Sequence, residues 1–524
     1  MELKIQPKDS AFAGAMLVCG FLLFNLILYA DMPGAGVTVF ALVLIAVTWI
    51  YLAKSGYRQN GRSLVALTLT VLASLQFLIF AEVFIGFLTF VLTAMLFVYW
   101  VMVTTGRSIQ EGLSATFVGD VVQQGFIVPF CNFGTAVVAL ARRFKESNYS
   151  GILLAGLGIL LFFPLLAAVV SLLISADLAF ETFLTGAFES LRIEKIMPYV
   201  WQFILGIPVA LYLFGLIFGN STGRFTRSIT IESLQRGTQA IRIAPRVMIY
   251  SALSAFCLIY TLFFIVQGAY LFSGFLERLP EAYTYAEYAR RGFFELCAVA
   301  GINLVVLAIA SLLIRRDLDE EPRELRIATS AIALFTVLLI ATALSKMALY
   351  INTYGLTVLR VYTSWFMVLL LLIFVTILIR QFIRFNAARI IIVGFVVLFF
   401  ILAFGNVDGV VASHNIALYE TALAHGEQER IDIDALAELS DGAVEPMYAW
   451  YQRLSEDKEN EAYVRRRLEE AIMSHYRDDI EKSEDGSADR RDFRAFNLQR
   501  ERATRIREKL LADGVIPPPY RYLD

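Results

Sequence analysis

Runs of about twenty apolar residues recur along this 524-residue chain, and they limit its possible folds more than any other feature. An α-helix needs about 20 such residues to cross the hydrocarbon core of a bilayer. Charged residues make up only 18% of the chain, whereas about 25% is usual in soluble domains. The chain is therefore predicted to be an all-α integral membrane protein.

The apolar runs and their flanking residues predict eleven transmembrane helices. One further apolar stretch, 116–141, is interrupted by Asp120, Gln123, Gln124, Pro129 and Asn132. We interpret it as an interfacial segment, or one tucked between helices. The predicted spans lie near residues 11–30, 37–53, 63–80, 86–104, 151–175, 199–219, 247–273, 294–314, 327–350, 361–380 and 387–405.

Lysine and arginine are unevenly distributed between the two sides that these spans define. Membrane proteins carry an excess of both residues in their cytoplasmic loops. With the N-terminus inside, 21 of them fall in inner segments and six in short outer loops. The bias predicts a cytoplasmic N-terminus and an extracytoplasmic C-terminal part. Counting 116–141 as a span would place the later basic clusters on the wrong side.

Residues 406–524 differ in character from the chain before them. They carry 26 Asp and Glu against 17 Lys and Arg, a net charge of −9, whereas residues 1–405 carry +7. Three stretches of this tail have apolar residues at helical spacing. We predict a polytopic transmembrane domain over 1–405 and a small, acidic, helical extracytoplasmic domain over 406–524. The first apolar run is predicted to be a retained span rather than a signal peptide.

The stretch YTYAEYARRGFFEL, residues 283–296, carries charges directly into an apolar run. Thr284 and Glu287 have capping-box spacing, so a helix is predicted to begin there, with Glu287, Arg291 and Glu295 on one stripe. Asn303 follows two turns deeper in the same predicted helix, and a second group of polar residues falls at the same depth as the charges on the same predicted side. The resulting candidate outward polar site comprises Tyr285, Glu287, Arg290, Arg291, Glu295, Asn303, Lys346, Tyr350, Tyr354 and Arg360.

Two interpretations of this candidate site stay open. Either the helix end is an interfacial charge ladder with a tyrosine belt, or Glu295 and Asn303 line a polar cavity that opens outward. Glu295 favours the cavity because a carboxylate cannot reach water over the distance that Lys or Arg can. Lys346 either extends to the interface or pairs with Glu295, for which Arg360 is an alternative partner.

Four segments of the chain resemble an uncharacterised family of bacterial multi-span membrane proteins, known only as a domain of unknown function. They read YTYAEYARRGFFEL, YINTYGLTVLRVYTSWF, GNVDGVVASHNIALY and IDIDALAELSDGAV, in the family's order. The resemblance covers more than half of the chain. It implies many helical spans in a bacterial inner membrane and an outward tail, with no established catalytic residues.

Some members of such families have been named carotenoid monooxygenases, but that chemistry does not fit these residues. A membrane iron oxygenase needs several imidazoles around its metal. The three histidines, His414, His425 and His475, are dispersed through the tail. The chain also has no H-E-x-x-H zinc motif and no G-x-x-x-x-G-K-[ST] phosphate loop. We therefore predict no catalytic residue, metal, cofactor or nucleic-acid partner.

Three functions from different classes remain. The chain is predicted first to be a cell-envelope scaffold or sensor whose tail binds an envelope protein or a lipid-linked ligand. That function predicts an exposed patch around Met447, Tyr448, Trp450 and Tyr451. The alternative is a transporter or exporter component with an outward polar cavity. The third is an enzyme acting on a lipid-linked substrate, with Glu287 or Glu295 as base and arginines as a phosphate clamp.

Overall fold

The protein is helical throughout the part of the chain that the structure, a computed structural model, describes. Its only β-type pairing in that part is an isolated bridge between Ala244 and Ile314. The described residues are 5–28, 33–145, 168–177, 193–273, 293–315, 322–426, 431–455, 458–474 and 492–515, with a few single positions between 158 and 180.

Nine of the described helices are long and apolar enough to cross a membrane, and two bent helix pairs raise the number to as many as eleven. The predicted all-α membrane fold is thus confirmed, and contact with bilayer lipid follows from it. Between the predicted spans 63–80 and 86–104, one helix ends at Ile79 and the next begins at Val83. The predicted span at 151–175 lies mostly outside the described residues.

The chain forms two compact units. The first comprises Met1–Ile109, Val118–Ile229 and Lys482–Leu498. Its helices pack around a core that includes Trp100 and Phe214. They are α1 (Pro7–Leu23, continued by a π turn at Phe24–Leu28), α2 (Ala35–Lys54), α3 (Gly61–Ile79), α4 (Val83–Thr105), α5 (Phe117–Val122), α6 (Val128–Cys131), α7 (Phe133–Lys145) and α8 (Ile193–Thr222).

Two glycines allow α1 and α8 to cross in direct backbone contact. A β-carbon at Gly206 would lie 2.6 Å from the carbonyl carbon of Gly20 and 2.7 Å from its oxygen. Membrane helices lack a hydrophobic driving force for association, so small residues that permit close backbone packing stabilise their crossings. This crossing holds the first span directly against α8.

The segment from α5 to α7 is a broken helix. A π turn at Gln123–Ile127 joins α5 to α6, and the axis bends by 42° between α6 and α7. The polar residues that interrupt its sequence are buried against α8 and the neighbouring loops. Gln124 accepts a hydrogen bond from Asn220 (2.8 Å), and Gln123 accepts one from the Ile229 amide (2.7 Å). Burial of these side chains agrees with the tucked arrangement predicted from the sequence.

The second unit comprises Gln110–Phe117, Thr230–Glu481 and Gln499–Asp524. It has two cores, one among its membrane helices and one among the helices of the tail. Its helices are α9 (Ile231–Ile241), α10 (Arg246–Ser273), α11 (Phe293–Leu313), α12 (Arg323–Tyr354), α13 (Val358–Arg380), α14 (Ala387–Ala403), α15 (Val407–Ala424), α16 (Ile433–Ala437), α17 (Val444–Tyr451), α18 (Glu459–Met473) and α19 (Leu498–Ala512).

Helices α16 to α19 lie in the three tail stretches that have helical spacing, and α15 precedes them, but the predicted exposed patch on the tail is wrong. Met447 and Trp450 are 1% exposed and Tyr451 is 8% exposed, so they belong to the tail core. The Trp450 ring packs edge-on against Tyr419 of α15, with centroids 5.6 Å apart. The sequence pattern marked an apolar helix face correctly, but that face is covered by the neighbouring helices α15 and α18.

Candidate functional site

Four of the ten predicted site residues, Tyr285, Glu287, Arg290 and Arg291, lie outside the described residues. The other six belong to α11, α12 and α13. Glu295 is exposed in the first turn of α11, and Lys346 is half-buried in α12. The two lie close enough for the Glu295 carboxylate to act electrostatically on the Lys346 ammonium.

Asn303 lies apart from these charges, in a hydrogen-bonded link between three helices. It is fully buried in α11, its amide donates to Thr336 Oγ1 of α12 (2.8 Å), and its carbonyl oxygen accepts from the Tyr260 hydroxyl of α10. Asparagine side chains bond across helices in membranes because an unpaired polar group in hydrocarbon is costly. These contacts fit a packing role for Asn303 better than a cavity-lining one.

Three predicted residues come together at the turn between α12 and α13. The Arg360 guanidinium lies 4.2 Å from the centroid of the Tyr350 ring, and the Tyr350 and Tyr354 rings are in contact at 5.0 Å. Arg360 also donates to the carbonyls of Tyr354 (3.2 Å) and Gly355. A cation that bonds the final carbonyls of a helix also complements its dipole. Arg360 therefore caps α12.

Asn415 of α15, which was not predicted, fixes the same turn. Its side-chain oxygen accepts from the Leu356 amide (2.6 Å), and its amide donates to the Leu356 carbonyl (2.9 Å). Gly355 has a φ of +76°, and a β-carbon there would lie 2.6 Å from Asn415 Oδ1. The Gly after INTY was a sequence signal for a turn, but nothing in the pattern indicated which side chain would pair with it.

We expect replacement of Asn415 by alanine to lower the free energy of unfolding by about 2 kcal/mol, because it leaves both polar groups of a half-buried peptide unpaired. The measurement is the thermal midpoint of the full chain in detergent, followed by size-exclusion fluorescence. Asn352, exposed on α12, provides the matched control. An Asn415→Ala midpoint equal to that of Asn352→Ala would show that the Leu356 pairing contributes nothing.

A second polar cluster joins three sequence motifs in the tail. Asn406, at a φ of +43°, caps α15 through the Gly409 amide (3.2 Å) and also accepts from Gln499 Nε2 (2.8 Å). Asp408, 7% exposed, accepts from the Ser440 amide (3.0 Å). The stretches GNVDG, LSDG and NLQR thus meet at one place. Because these side chains are held by hydrogen bonds to other protein groups, the cluster fits a structural role in connecting the three stretches.

The model of a domain of unknown function, DUF4153, matches residues 64–449. The chain belongs to this family. No curated protein and no solved structure matches the chain. The DUF4153 region includes all four segments on which the family resemblance rests, and it extends from α3 to α17.

Within the DUF4153 region, the family segments correspond to joints between helices. YINTYGLTVLR contains the α12–α13 turn, GNVDGVVASHN contains Asn406 and Asn415, and LSDG contains Ser440. Among the described residues, no group of three His, Cys, Asp or Glu side chains is arranged to hold a metal ion. The chemistry available at these sites is hydrogen bonding and charge pairing between helices.

Proposed function

We propose that this DUF4153 protein is a multi-pass scaffold or sensor of the bacterial inner membrane, which presents its helical tail outside the cell membrane. The tail's own core carries this proposal. Arg507 is fully buried, pairs with Asp441 in the turn before α17 (2.8 Å) and donates to the Ile472 carbonyl of α18 (2.9 Å). A buried, internally bonded helical layer is suited to present a fixed surface.

Contacts within the first unit support the placement of residues 492–498 on the face opposite the N-terminus. Arg494 donates to the Asn25 carbonyl at the end of the first span (2.9 Å), and the Phe496 carbonyl accepts from the Ala35 amide at the start of α2 (2.8 Å). One helix, α1, separates this face from the N-terminus. A cytoplasmic N-terminus, as the basic-residue bias predicts, then puts residues 492–498 outside.

Transport through the predicted outward cavity is a weaker proposal. It needs Asn303, Lys346 and Arg360 to share a water-accessible pocket. Asn303 instead bonds to Tyr260 and Thr336, and Arg360 bonds to the end of its neighbouring helix. The third proposal is an enzyme that acts on a lipid-linked substrate. Most of the residues named for it belong to the 283–292 stretch, which lies outside the described residues.

Cysteine labelling tests both requirements of the scaffold proposal. Glu459→Cys, exposed on α18, and Asn303→Cys are introduced separately into a chain whose four native cysteines are replaced. An impermeant maleimide applied to spheroplasts should label position 459, because the tail is outside, and leave position 303 unlabelled. Arg58→Cys, exposed in the α2–α3 loop, is the control and should react only after permeabilisation.

Either of two results would contradict the proposal. Labelling of position 459 only after permeabilisation would put the tail inside. Labelling of position 303 in spheroplasts would show that water reaches deep into α11, which would favour transport.

A further inference from the structure

The broken segment, residues 117–145, begins and ends on the same membrane face. At its start, Asp120 accepts from the Ile109 amide (2.8 Å), just after α4 ends. At its end, Arg142 donates to the Ile5 carbonyl, just before α1 begins. Four antiparallel helices lie between Ile5 and Ile109 in sequence. An even number of crossings returns the chain to its starting face, so this segment does not traverse the membrane.

The segment also stays near one face throughout its length. Its contacts with α8 extend from Tyr212, whose hydroxyl bonds to the Gly125 carbonyl (3.0 Å), to the end of that helix at Thr222. Ten residues of α-helix rise about 15 Å, roughly half of the ~30 Å hydrocarbon core. The segment is therefore a half-embedded element on the face that carries the N-terminus.

Opposite sides of the segment have opposite chemistry. One side is apolar and not covered by protein, and its exposed residues recur every four positions. The other side carries a carboxylate, three amides and a hydroxyl, which are buried against α8 and the adjoining loops. The apolar side comprises Val118 (72% exposed), Val122 (41%), Phe126 (61%) and Phe130 (54%), and the polar side comprises Asp120, Gln123, Gln124, Asn132 and Thr135.

Two half-buried arginines flank the end of α8 beside this segment. Arg107 Nε donates to the Asn220 carbonyl (3.2 Å), and its guanidinium lies against Gly223. Arg224 Nη1 donates to Thr135 Oγ1 (2.9 Å). Each guanidinium has five N–H donors, and among the described residues the remaining ones have no hydrogen-bond partner. The only acid in the segment, Asp120, is engaged by the Ile109 amide.

We propose that Arg107 and Arg224 bind the phosphate of an anionic phospholipid whose acyl chains lie along the apolar side of the segment. Basic pockets between membrane helices on the cytoplasmic side recognise such headgroups. Guanidinium groups suit phosphate because their planar donors match its oxygens. The two guanidiniums match the phosphate of such a lipid, and the exposed valine and phenylalanine stripe on the other side of the same segment matches its acyl chains.

The test compares lipid binding to the full chain, delipidated in neutral detergent. Dioleoyl-phosphatidylglycerol and dioleoyl-phosphatidylcholine are titrated separately, and bound lipid is counted by native mass spectrometry. The wild type should bind one phosphatidylglycerol in preference to phosphatidylcholine. Arg107→Gln with Arg224→Gln should weaken phosphatidylglycerol binding about 30-fold, since each basic group near a membrane surface contributes about 1 kcal/mol.

The matched control is Arg236→Gln with Arg323→Gln, which removes the same charge from exposed positions of the second unit. This control should bind phosphatidylglycerol as the wild type does. If the double variant does not fold, the single variant Arg224→Gln should still show about a fivefold loss.

Three outcomes would overturn the proposal. The first is equal binding of the two lipids by the wild type. The second is undiminished binding by the Arg107 and Arg224 variants, or an equal loss in the control pair. The third is a thermal midpoint that inorganic phosphate alone raises as much as phosphatidylglycerol does, with both effects lost in the Arg107 and Arg224 variants. That result would assign the site to a free anion rather than to a lipid.

Discussion

Replacing Gly206 by alanine should disrupt the first unit, with a loss in the free energy of unfolding of about 3 kcal/mol, at the upper end of overpacking costs. The new β-carbon would lie 2.6 Å from the Gly20 carbonyl carbon, which is backbone and cannot rotate away. The helices α1 and α8 would have to separate, and the core around Phe12 and Phe214 would open with them. The measurement is the thermal midpoint of the full chain by fluorescence-detected size exclusion.

Gly14→Ala is the control, because it makes the same change in α1 where no atom lies within 4 Å of the new β-carbon. Alanine favours a helix over glycine by about 1 kcal/mol, so this variant should be at least as stable as the wild type. Equal midpoints for the two variants would mean that the close crossing does not contribute to stability.

Replacing Asp441 by alanine should destabilise the tail by about 3–5 kcal/mol, because it leaves the buried Arg507 charge without its partner. The Arg507 side chain is 1% exposed and that of Asp441 is 13% exposed, so water cannot replace the lost carboxylate. Limited proteolysis of the full chain measures the effect directly. The variant tail should be cleaved many times faster than the wild-type tail at equal protease.

Two further variants separate the buried charge from other effects. Glu501→Ala removes an exposed pair with Arg505, whose side chain is 73% exposed, and should change stability by no more than about 1 kcal/mol. Asp441→Leu combined with Arg507→Met removes both charges and should recover much of the loss. Failure of this double variant to recover would show that Asp441 acts through other contacts, such as its pairing with Arg500.

The membrane helices could be predicted from the sequence because each one is a long apolar run, and a helix needs little more than that to cross a bilayer. The contacts between side chains of different helices were predicted less well. The tail face around Met447 and Trp450 looked exposed because an amphipathic pattern identifies an apolar face without naming what covers it. The glycines at 20 and 206 were not identified, since close approach depends on two positions 186 residues apart.

The candidate site illustrates the same limit. Tyr350, Tyr354 and Arg360 could be grouped because they are neighbours across one short turn. Asn303 was grouped with Glu295 because it lies two turns deeper in the same predicted helix, but helical spacing does not specify which neighbouring helix a residue faces. Asn415 lies 59 residues from its partner Leu356, and no local pattern relates them.

The bond between Arg494 and Asn25 has a consequence for biogenesis. Its partners are 469 residues apart in the chain. At about 5–20 residues per second, a ribosome needs roughly 25–90 seconds to synthesise that length. The first two spans must therefore stay in the membrane for that time without one of their final contacts. During this interval, the Asn25 carbonyl and the Ala35 amide are available to water or to a chaperone, and the first unit is completed only after nearly all of the second has been made.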